Sequence, residues 1–192
     1  MHRASDNVRR AEETAEGESS FVEEKRLFVT VGTDLPFDRL VRSLDDWSPR
    51  QSRYKIFAQI GESQYVPKHI EYDKFLEPPE FVKRFTEADL VVSHAGMGTI
   101  LSSLKYQKPL LVLPRIAAKG EHRNEHQLAT ARHLKVLNKV NVAEDETGLL
   151  NILESPEGLK VKEPIGDFAS EPLIRKIRDF IRENKRGLSS SR

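Results

Sequence analysis

Short apolar runs recur along this chain and alternate with stretches in which apolar residues return every three or four positions. A run of four to seven mostly apolar residues is typical of a buried strand, whereas the wider spacing is typical of an amphipathic helix. The runs predict strands at residues 26–31, 54–60, 70–75, 89–93, 110–113 and 139–142.

The stretches with helical spacing fall between these runs. Residues 37–44 and 78–85 have such spacing, and the second stretch opens on two prolines, which suit a first helical turn. Further helices are predicted at 99–106, 121–134 and 171–184. Strands that alternate with helices predict an α/β fold, in which a mainly parallel sheet is covered by helices on both faces.

Composition limits the class of protein. The chain has 192 residues, a net charge of +1 and no cysteine, which suits one α/β domain and excludes disulfides, thiolate metal ligands and cysteine nucleophiles. No apolar stretch approaches the roughly 20 residues of a membrane span, and the N-terminus lacks the apolar region of a signal peptide. We therefore expect a cytoplasmic protein.

Charge and polarity divide the chain into three parts. Residues 1–24 are rich in Glu and Ser without a hydrophobic period, which predicts a disordered or weakly helical extension before a domain at 25–170. Residues 171–192 have a net charge of +4 and are predicted to form a basic amphipathic helix and tail. Its apolar side either packs on its own domain or docks to a partner or an anionic membrane surface. The balanced charge elsewhere does not resemble a nucleic-acid-binding stripe.

The strand at 89–93 leads directly into a glycine-bearing turn and a helix start. Backbone N–H groups and the positive end of a helix dipole meet there, which suits an anion such as a diphosphate. Gly96 and Gly98 therefore favour an anion site over close strand–helix packing alone. His94 before them either bonds a loop carbonyl or touches a phosphate or sugar.

Two other strand ends should meet this turn, because ligands bind beyond the carboxyl ends of parallel strands. Gly32 and Thr33 follow the first strand, either as ligand-binding residues or as a simple turn residue and helix cap. The loop after Pro114 follows the fifth strand. These three segments are the predicted ligand-binding edge.

A dense polar cluster occupies residues 119–127. His122 and His126, with Glu125 between them, match the H-x-x-E-H pattern of zinc hydrolases, in which two histidines lie one helical turn apart. Such a site needs a third ligand, for which the candidates are Glu144, Glu146 and Glu154.

The same cluster supports two other interpretations. Asn124, His126 and Gln127 at a helix start can present hydrogen-bond donors to sugar hydroxyls or phosphates. An exposed polar helix face without any ligand is the third alternative.

Three segments together resemble the C-terminal, donor-binding half of family 28 glycosyltransferases. They are the turn at 93–99, the proline-bounded strand at 108–115 and the helix start at 121–131, and residues 29–33 agree with them. Their combination in this order is far more specific than any one motif. The resemblance covers about residues 26–140. It is strongest to small split members, such as the subunit acting on dolichol-linked N-acetylglucosamine and bacterial exopolysaccharide subunits.

The resemblance implies the Rossmann-like C-terminal half of a GT-B architecture, which holds a UDP-sugar with no metal or other cofactor expected. It places the backbone of the glycine turn at the diphosphate, His126 and Gln127 near the donor sugar, and Arg115 and His94 as charge partners. The residues expected to bind the UDP-sugar are Gly32, Thr33, Ser93, His94, Ala95, Gly96, Met97, Gly98, Thr99, Ser102, Arg115, Glu121, Asn124, His126 and Gln127.

One position departs from the family pattern. The family often places a glutamate on the helix after the turn to hold the ribose hydroxyls, whereas the equivalent residue here is Ser102. A serine can make one such hydrogen bond but not the charged, two-acceptor contact.

The resemblance also implies a partner. A complete GT-B enzyme needs a second domain for the acceptor, and this chain has room for one domain. We expect a separate membrane-associated subunit that binds a lipid-linked saccharide acceptor and recruits this chain peripherally to the membrane. That subunit is also expected to supply the catalytic base, for which His94 is the candidate within this chain. The helix at 171–184 is the expected docking element.

Three functions remain open on these grounds. The first is the UDP-sugar-binding subunit of a two-component inverting glycosyltransferase that transfers a hexose, such as N-acetylglucosamine, to a lipid-linked acceptor. The second is a non-catalytic nucleotide-sugar-binding module. The third is a zinc hydrolase built on His122 and His126.

Overall fold

Six parallel strands form one sheet in the part of the chain that the computed structural model describes, residues 24–136, 138–163, 175, 176 and 178. The strands are β1 (Lys25–Thr30), β2 (Tyr54–Gln59), β3 (Glu71–Asp73), β4 (Leu90–Ser93), β5 (Leu110–Val112) and β6 (Asn141–Val142). Each overlaps a predicted strand. The prediction of a parallel sheet is therefore confirmed.

Five α-helices connect or flank these strands within the described residues. They are α1 (Asp38–Trp47), α2 (Pro78–Glu87), α3 (Met97–Tyr106), α4 (His126–Val136) and α5 (Glu146–Glu154), with short 3-10 turns at Ser48–Arg50, Ala117–Lys119 and Pro156–Gly158. No helix in this part of the chain is long and apolar enough to cross a membrane.

The helices cover both faces of the sheet, as predicted. On one face, α1 and α5 contribute Leu40 and Leu149 to a core that includes Val29 of β1. On the other face, α2, α3 and α4 pack over a second core that contains Phe28 and Ile100. Successive residues of a strand point to opposite faces, so the adjacent Phe28 and Val29 belong to different cores.

The strand order is β3-β2-β1-β4-β5-β6, so the direction of winding reverses between β1 and β4. This is the order of the Rossmann fold, in which ligands bind in the crevice at the reversal. Thr30 at the end of β1 pairs with Ser93 at the end of β4. The turns that begin at Gly32 and His94 therefore leave the sheet at the same level and meet.

The start of α4 was predicted wrongly. The pattern predicts a helix from residue 121, whereas α4 begins at His126 and residues 121–125 form turns and bends. The Asn124 side-chain oxygen accepts a hydrogen bond from the backbone N–H of His126 at 3.2 Å. Such a local side-chain bond competes with helical backbone bonds, which explains the later start.

Helix α5 was missed, although the chain carries a signal for it. Asp145 caps this helix by accepting a hydrogen bond from the Gly148 N–H at 2.7 Å. Leu149 and Leu153, four residues apart, are fully buried against the α1 face of the sheet. An acidic cap followed by leucines at this spacing predicts a helix.

Two predicted parts of the chain lie outside the described residues. The extension at 1–24 is described only at Glu24, and the helix at 171–184 only at Arg175, Lys176 and Arg178. The domain boundary at residue 170 also falls outside, so this division of the chain stays a prediction.

Candidate functional site

A pocket of about 330 Å³ lies beyond the carboxyl ends of β1 and β4, at the reversal of strand order. We call it the switch-point pocket. The predicted site residues that line it are Gly32, Thr33, His94, Gly96, Met97, Gly98, Thr99, Arg115 and Gln127. Val31, Asp34, Leu35 and His122 complete the lining. The structure therefore brings the glycine turn, the β1 turn and the loop after β5 to one place.

The other predicted site residues do not line the pocket in this structure. They are Ser93, Ala95, Ser102, Glu121, Asn124 and His126. Ser93 and Ala95 are buried, and the Ser102 hydroxyl donates to the Gly98 carbonyl at 2.9 Å, within α3. A ligand contact of these residues stays a prediction.

The N-terminus of α3 forms one side of the pocket. Its cap position is Gly96, which offers no side-chain oxygen, and the first helical residues are Met97, Gly98 and Thr99. The backbone N–H groups of these three residues have no hydrogen-bond acceptor among the described residues. A Cβ placed on Gly98 would meet no atom within 4 Å. Free donors that face open space at a helix N-terminus suit an anionic ligand.

The position of the His94 ring explains why residues 32 and 96 are glycines. A Cβ on Gly32 would lie 2.7 Å from the His94 Cε1 atom, and a Cβ on Gly96 would overlap the same ring. Gly32 also has a φ of +79°, which side-chain-bearing residues rarely adopt. Both glycines therefore make room for His94, whereas Gly98 leaves space that a ligand can occupy.

His94 is uncharged near neutral pH in the free protein. The Ser93 hydroxyl donates to the Thr30 carbonyl at 2.7 Å, so its contact of 3.3 Å with His94 assigns the ring proton to Nδ1. Desolvation of the ring, followed by the nearby charges of Arg115 and His122, lowers the pKa of His94 to about 4. His94 therefore becomes a charge partner for a ligand only if it takes up a proton.

Arg115 carries a buried positive charge at the pocket. The residue is 2% exposed, and its terminal nitrogens donate to four backbone carbonyls, those of Val31, Leu35, Pro36 and Glu121, at 2.6–3.2 Å. Burial lowers its pKa, although the group remains a cation. These bonds join the β1 turn to the loop after β5.

None of the hydrogen-bond partners that Arg115 has among the described residues is a carboxylate. All four hydrogen-bond acceptors are neutral carbonyls, and the carboxylates of Glu121 and Asp34 act on the guanidinium only at longer range. The Arg115 Nε is buried without a hydrogen-bond partner in the described part of the chain. A buried cation without a carboxylate partner is costly, which marks this position as a candidate binding group.

The Glu121 carboxylate is already bound within the protein. Arg39 of α1 donates to both of its oxygens, at 2.6 and 2.9 Å, and the Ile116 N–H donates to one of them at 2.8 Å. Arg39 also donates to Glu146 of α5 at 3.0 Å. Glu121 therefore stands behind the pocket and holds the loop after β5.

Asp34 and His122 were missed as pocket residues. Asp34 directly follows the predicted Gly32-Thr33 pair, and its exposed carboxylate acts on Arg115 through charge alone. The H-x-x-E-H pattern indicates His122 only as a zinc ligand. Its Nδ1 lies 3.3 Å from the Asn124 backbone nitrogen and 3.1 Å from the Asn124 carbonyl.

The structure does not have the geometry that a zinc site on His122 and His126 needs. His122 lies before α4 and His126 is its first residue, so the two are not one helical turn apart on a helix. Within the residues that the structure describes, no group of three or more His, Asp or Glu side chains could hold a metal ion.

The fold and pocket define a Rossmann-like α/β domain whose switch-point pocket is bordered by a helix N-terminus and a buried arginine. Residues 26–154 match the family model described as the glycosyltransferase family 28 C-terminal domain, and the chain belongs to this family. The predicted family assignment is therefore confirmed.

One relative and two solved structures illustrate the similarity. The chain is 28% identical to the UDP-N-acetylglucosamine transferase subunit ALG13 of Saccharomyces cerevisiae, over 73% of this chain and 89% of that protein. An NMR solution structure of ALG13 matches with a TM-score of 0.53 and 23% identity, over 81% of this chain and 96% of that one.

The second structure is a crystal structure of CalG4, the calicheamicin glycosyltransferase. It matches with a TM-score of 0.52 and 14% identity, over 72% of this chain and 36% of that chain. At these identities the two structures show the fold alone. The predicted fold, the Rossmann-like C-terminal half of a GT-B glycosyltransferase, is confirmed.

Proposed function

We propose that this chain is the donor-binding subunit of a two-component inverting glycosyltransferase, and that the switch-point pocket holds the diphosphate of a UDP-sugar. One observation carries the proposal: the free N–H groups of α3 and the buried, carboxylate-free Arg115 border the same pocket. Family membership supports a glycosyltransferase function, and the name of the yeast relative supports UDP-N-acetylglucosamine or a related hexose donor.

The proposed chemistry needs stabilisation of a leaving group. Negative charge develops on the UDP diphosphate as the bond to the sugar breaks. The N–H groups of Met97, Gly98 and Thr99 are already oriented at the helix N-terminus, so they can stabilise this charge without a large rearrangement. The buried guanidinium of Arg115 adds a positive potential that solvent screens weakly.

The remaining pocket residues suit contacts to the sugar and nucleoside. The Gln127 side-chain oxygen accepts from the backbone N–H of Arg115 at 3.5 Å, so the Gln127 amide nitrogen remains available as a donor. Thr33 and Thr99, which both carry a hydroxyl, line the same pocket. Ser102 donates its hydroxyl proton to Gly98, so a contact with the ribose would use its oxygen as an acceptor.

We also propose a membrane-associated partner that binds the lipid-linked saccharide acceptor. The yeast relative is named as a subunit, and this chain matches 89% of its length. The partner would supply the acceptor half of the GT-B enzyme and the catalytic base. It would also recruit this chain to the cytoplasmic surface of the membrane, with the predicted helix at 171–184 as its docking element.

Binding of nucleotide sugars to the purified chain tests the donor assignment. Titration calorimetry with UDP, UDP-N-acetylglucosamine, UDP-glucose, UDP-galactose and UDP-glucuronate should show saturable binding, and ADP-sugars should bind more weakly. Absence of binding by every UDP compound would contradict the proposal.

Reconstitution with the acceptor-binding subunit tests catalysis. We expect transfer from the preferred UDP-sugar to a lipid-linked acceptor in the pair and little or none with this chain alone. Donor binding without transfer in any reconstituted pair would instead select the non-catalytic nucleotide-sugar module.

A further inference from the structure

One wall of the switch-point pocket is the irregular segment at residues 114–122, which we call the β5 wall segment. It contributes Arg115 and His122 to the lining. Its regular structure is limited to the short 3-10 turn at Ala117–Lys119. A segment of this kind has few backbone bonds to the rest of the domain, so its position depends on side-chain contacts. Arg115 supplies some of them through the carbonyls of the β1 turn, and others come from side chains outside the segment.

Arg39 of α1 holds both ends of the β5 wall segment. Its guanidinium donates to the Pro114 carbonyl at 2.9 Å and to both carboxylate oxygens of Glu121. The Glu121 carboxylate in turn accepts from the Ile116 N–H at 2.8 Å, in the middle of the segment. One ion pair therefore anchors the start, the middle and the end of this wall.

The ion pair is well shielded from water. The side chains of Arg39 and Glu121 are 10% and 11% exposed, whereas those of the surface pair Arg26 and Glu87 are 63% and 44% exposed. A shielded, two-pronged arginine–carboxylate contact is strong and directional. Removal of Arg39 leaves the Glu121 carboxylate without its cation in a poorly solvated place, whereas removal of Glu121 leaves Arg39 paired with Glu146 alone.

We propose that Arg39 and Glu121 are a positioning pair for the UDP-sugar site: they fix the β5 wall segment against α1, so that Arg115 and His122 keep their places in the pocket. This inference rests on the proposed function for the identity of the ligand. It assigns Glu121 a role behind the pocket rather than a contact with the donor.

A direct link connects the pair to the pocket charge. The Arg115 side chain donates to the backbone carbonyl of Glu121 at 3.2 Å, and Glu121 immediately precedes His122. Displacement of Glu121 would therefore remove one of the four carbonyls that orient Arg115 and shift the backbone from which His122 projects. Arg39 and Glu121 themselves lie outside the pocket lining. A substitution of either one would therefore change ligand affinity by displacing the β5 wall segment.

The first test is the affinity for UDP, measured by titration calorimetry. Glu121→Gln keeps the size of the side chain but removes its charge, and Arg39→Lys keeps the charge but removes the two-pronged contact. Each variant should raise the Kd for UDP by about tenfold or more, because misplacement of binding groups is costly. The double variant should be little worse than either single one, since the two residues act as a unit.

Two control variants separate positioning from other effects. Glu87→Gln breaks the exposed Arg26 pair and should leave the Kd unchanged. Asp45→Asn weakens a buried hydrogen-bond network between α1 and residues 65–70, away from the pocket lining. It should lower the melting temperature at least as much as Glu121→Gln without weakening UDP binding.

A measurement without ligand keeps this inference separate from the proposed function. In the free protein, Glu121→Gln and Arg39→Lys should both shift the NMR signals of the His122 ring and speed hydrogen exchange of the Ile116 amide. If these changes occur while the wild-type chain binds no UDP compound, Arg39 and Glu121 do position the β5 wall segment, but the ligand is not a UDP-sugar.

Three outcomes would overturn the positioning role. In the first, Glu121→Gln weakens binding but Arg39→Lys does not, which would indicate a direct contact between Glu121 and the ligand. In the second, Asp45→Asn weakens binding as much as Glu121→Gln, which would indicate general loosening of the fold. In the third, neither His122 nor Ile116 responds to either substitution.

Discussion

Two buried charged side chains bind loops in this domain, and they differ in how many of their polar atoms have hydrogen-bond partners. The carboxylate of Asp45 in α1 accepts four hydrogen bonds at 2.7–3.0 Å, from the backbone N–H groups of Lys68, His69 and Ile70 and from the Tyr65 hydroxyl. The guanidinium of Arg115 donates to four carbonyls but leaves its buried Nε unpartnered within the described residues.

The two charges also differ in what lies beside them. Asp45 is fully buried and its polar atoms are satisfied by the protein, so it stabilises the fold. Arg115 borders an open pocket that also contains the free N–H groups of α3. A buried charge that the protein itself leaves incompletely paired is therefore the better indicator of a binding site.

The largest expected effect is on the stability that Asp45 provides. Asp45→Ala leaves three backbone donors and a tyrosine hydroxyl without their acceptor, which should lower the free energy of unfolding by about 3–5 kcal/mol. Urea denaturation measures this loss. The adjacent, exposed Asp46→Ala is the matched control and should change stability by less than about 0.5 kcal/mol. Similar losses in both variants would contradict the structural role of the Asp45 network.

The second prediction is that the pocket residue His94 and the Asp45 network affect the free energy of unfolding in different pH ranges. Unfolded histidine has a pKa near 6.5, whereas His94 in the folded protein has a pKa of about 4. Between these values the unfolded chain binds a proton that the folded protein does not. The free energy of unfolding should therefore decrease as the pH falls from 6.5 to 4, by up to about 3 kcal/mol.

Asp45 acts in a lower pH range. Burial raises its pKa, but the hydrogen bonds from Lys68, Tyr65, His69 and Ile70 outweigh this and hold the pKa below its ordinary value. Its stabilisation is therefore complete above the unfolded pKa near 3.9 and is lost as the pH falls through the folded pKa. Urea unfolding at a series of pH values should show both steps, with the upper one absent in His94→Gln. If the free energy of unfolding of His94→Gln fell between pH 6.5 and 4 as steeply as that of the wild type, the upper step would not belong to His94.

The third prediction concerns the charge of Arg115. Arg115→Met keeps an unbranched side chain in the buried site but removes the cation, which should weaken UDP binding by about 100-fold. Stability should fall less than in Asp45→Ala, because the substitution also removes the cost of a buried charge without a carboxylate partner. Calorimetry and thermal unfolding measure the two effects. The control is Arg53→Met, a partly exposed arginine outside the pocket lining. An unchanged Kd in Arg115→Met would exclude Arg115 from the site.

The smallest expected effect is at Gly98. A Cβ at this position meets no protein atom within 4 Å, so Gly98→Ala should leave the fold intact and stabilise α3 by up to about 1 kcal/mol. The added methyl group enters the space assigned to the diphosphate and should weaken UDP binding by about tenfold. Gly158→Ala, which also meets no atom within 4 Å but lies outside the pocket lining, should not affect the Kd. Unchanged UDP binding by Gly98→Ala would place the diphosphate elsewhere.

The elements that the chain pattern predicts correctly are those with a strong periodic or apolar signal. The run of Leu90 to Ser93 is apolar because both faces of β4 are covered, and its burial is complete. The helix prediction fails at residues 121–125, where hydrogen bonds of Asn124 and Glu121 side chains replace helical ones. Periodicity carries no information about such competing contacts.

The candidate site likewise contains residues that local motifs predict and contacts that only the tertiary structure creates. Gly98, Arg115 and Gln127 could be named because their motifs are local in the chain. The partnership of Arg39 with Glu121 could not, since the two residues are 82 positions apart and meet only when α1 packs beside the loop after β5. Asp34 follows the Gly32-Thr33 pair and His122 lies within the segment at 121–131, but their place in the site became evident only from the pocket that they line.

The amino-acid sequence by itself determined the alternation of strands and helices, the family, and the turn that places free N–H groups at the start of α3. These properties depend on apolar spacing and on glycine, which act over a few neighbouring residues. Only the tertiary structure decided that His94 is neutral and that Glu121 binds Arg39. It also decided that Arg115 has no carboxylate among its hydrogen-bond partners in the described residues. Charge and hydrogen bonding at these positions depend on desolvation and on groups brought together from distant parts of the chain.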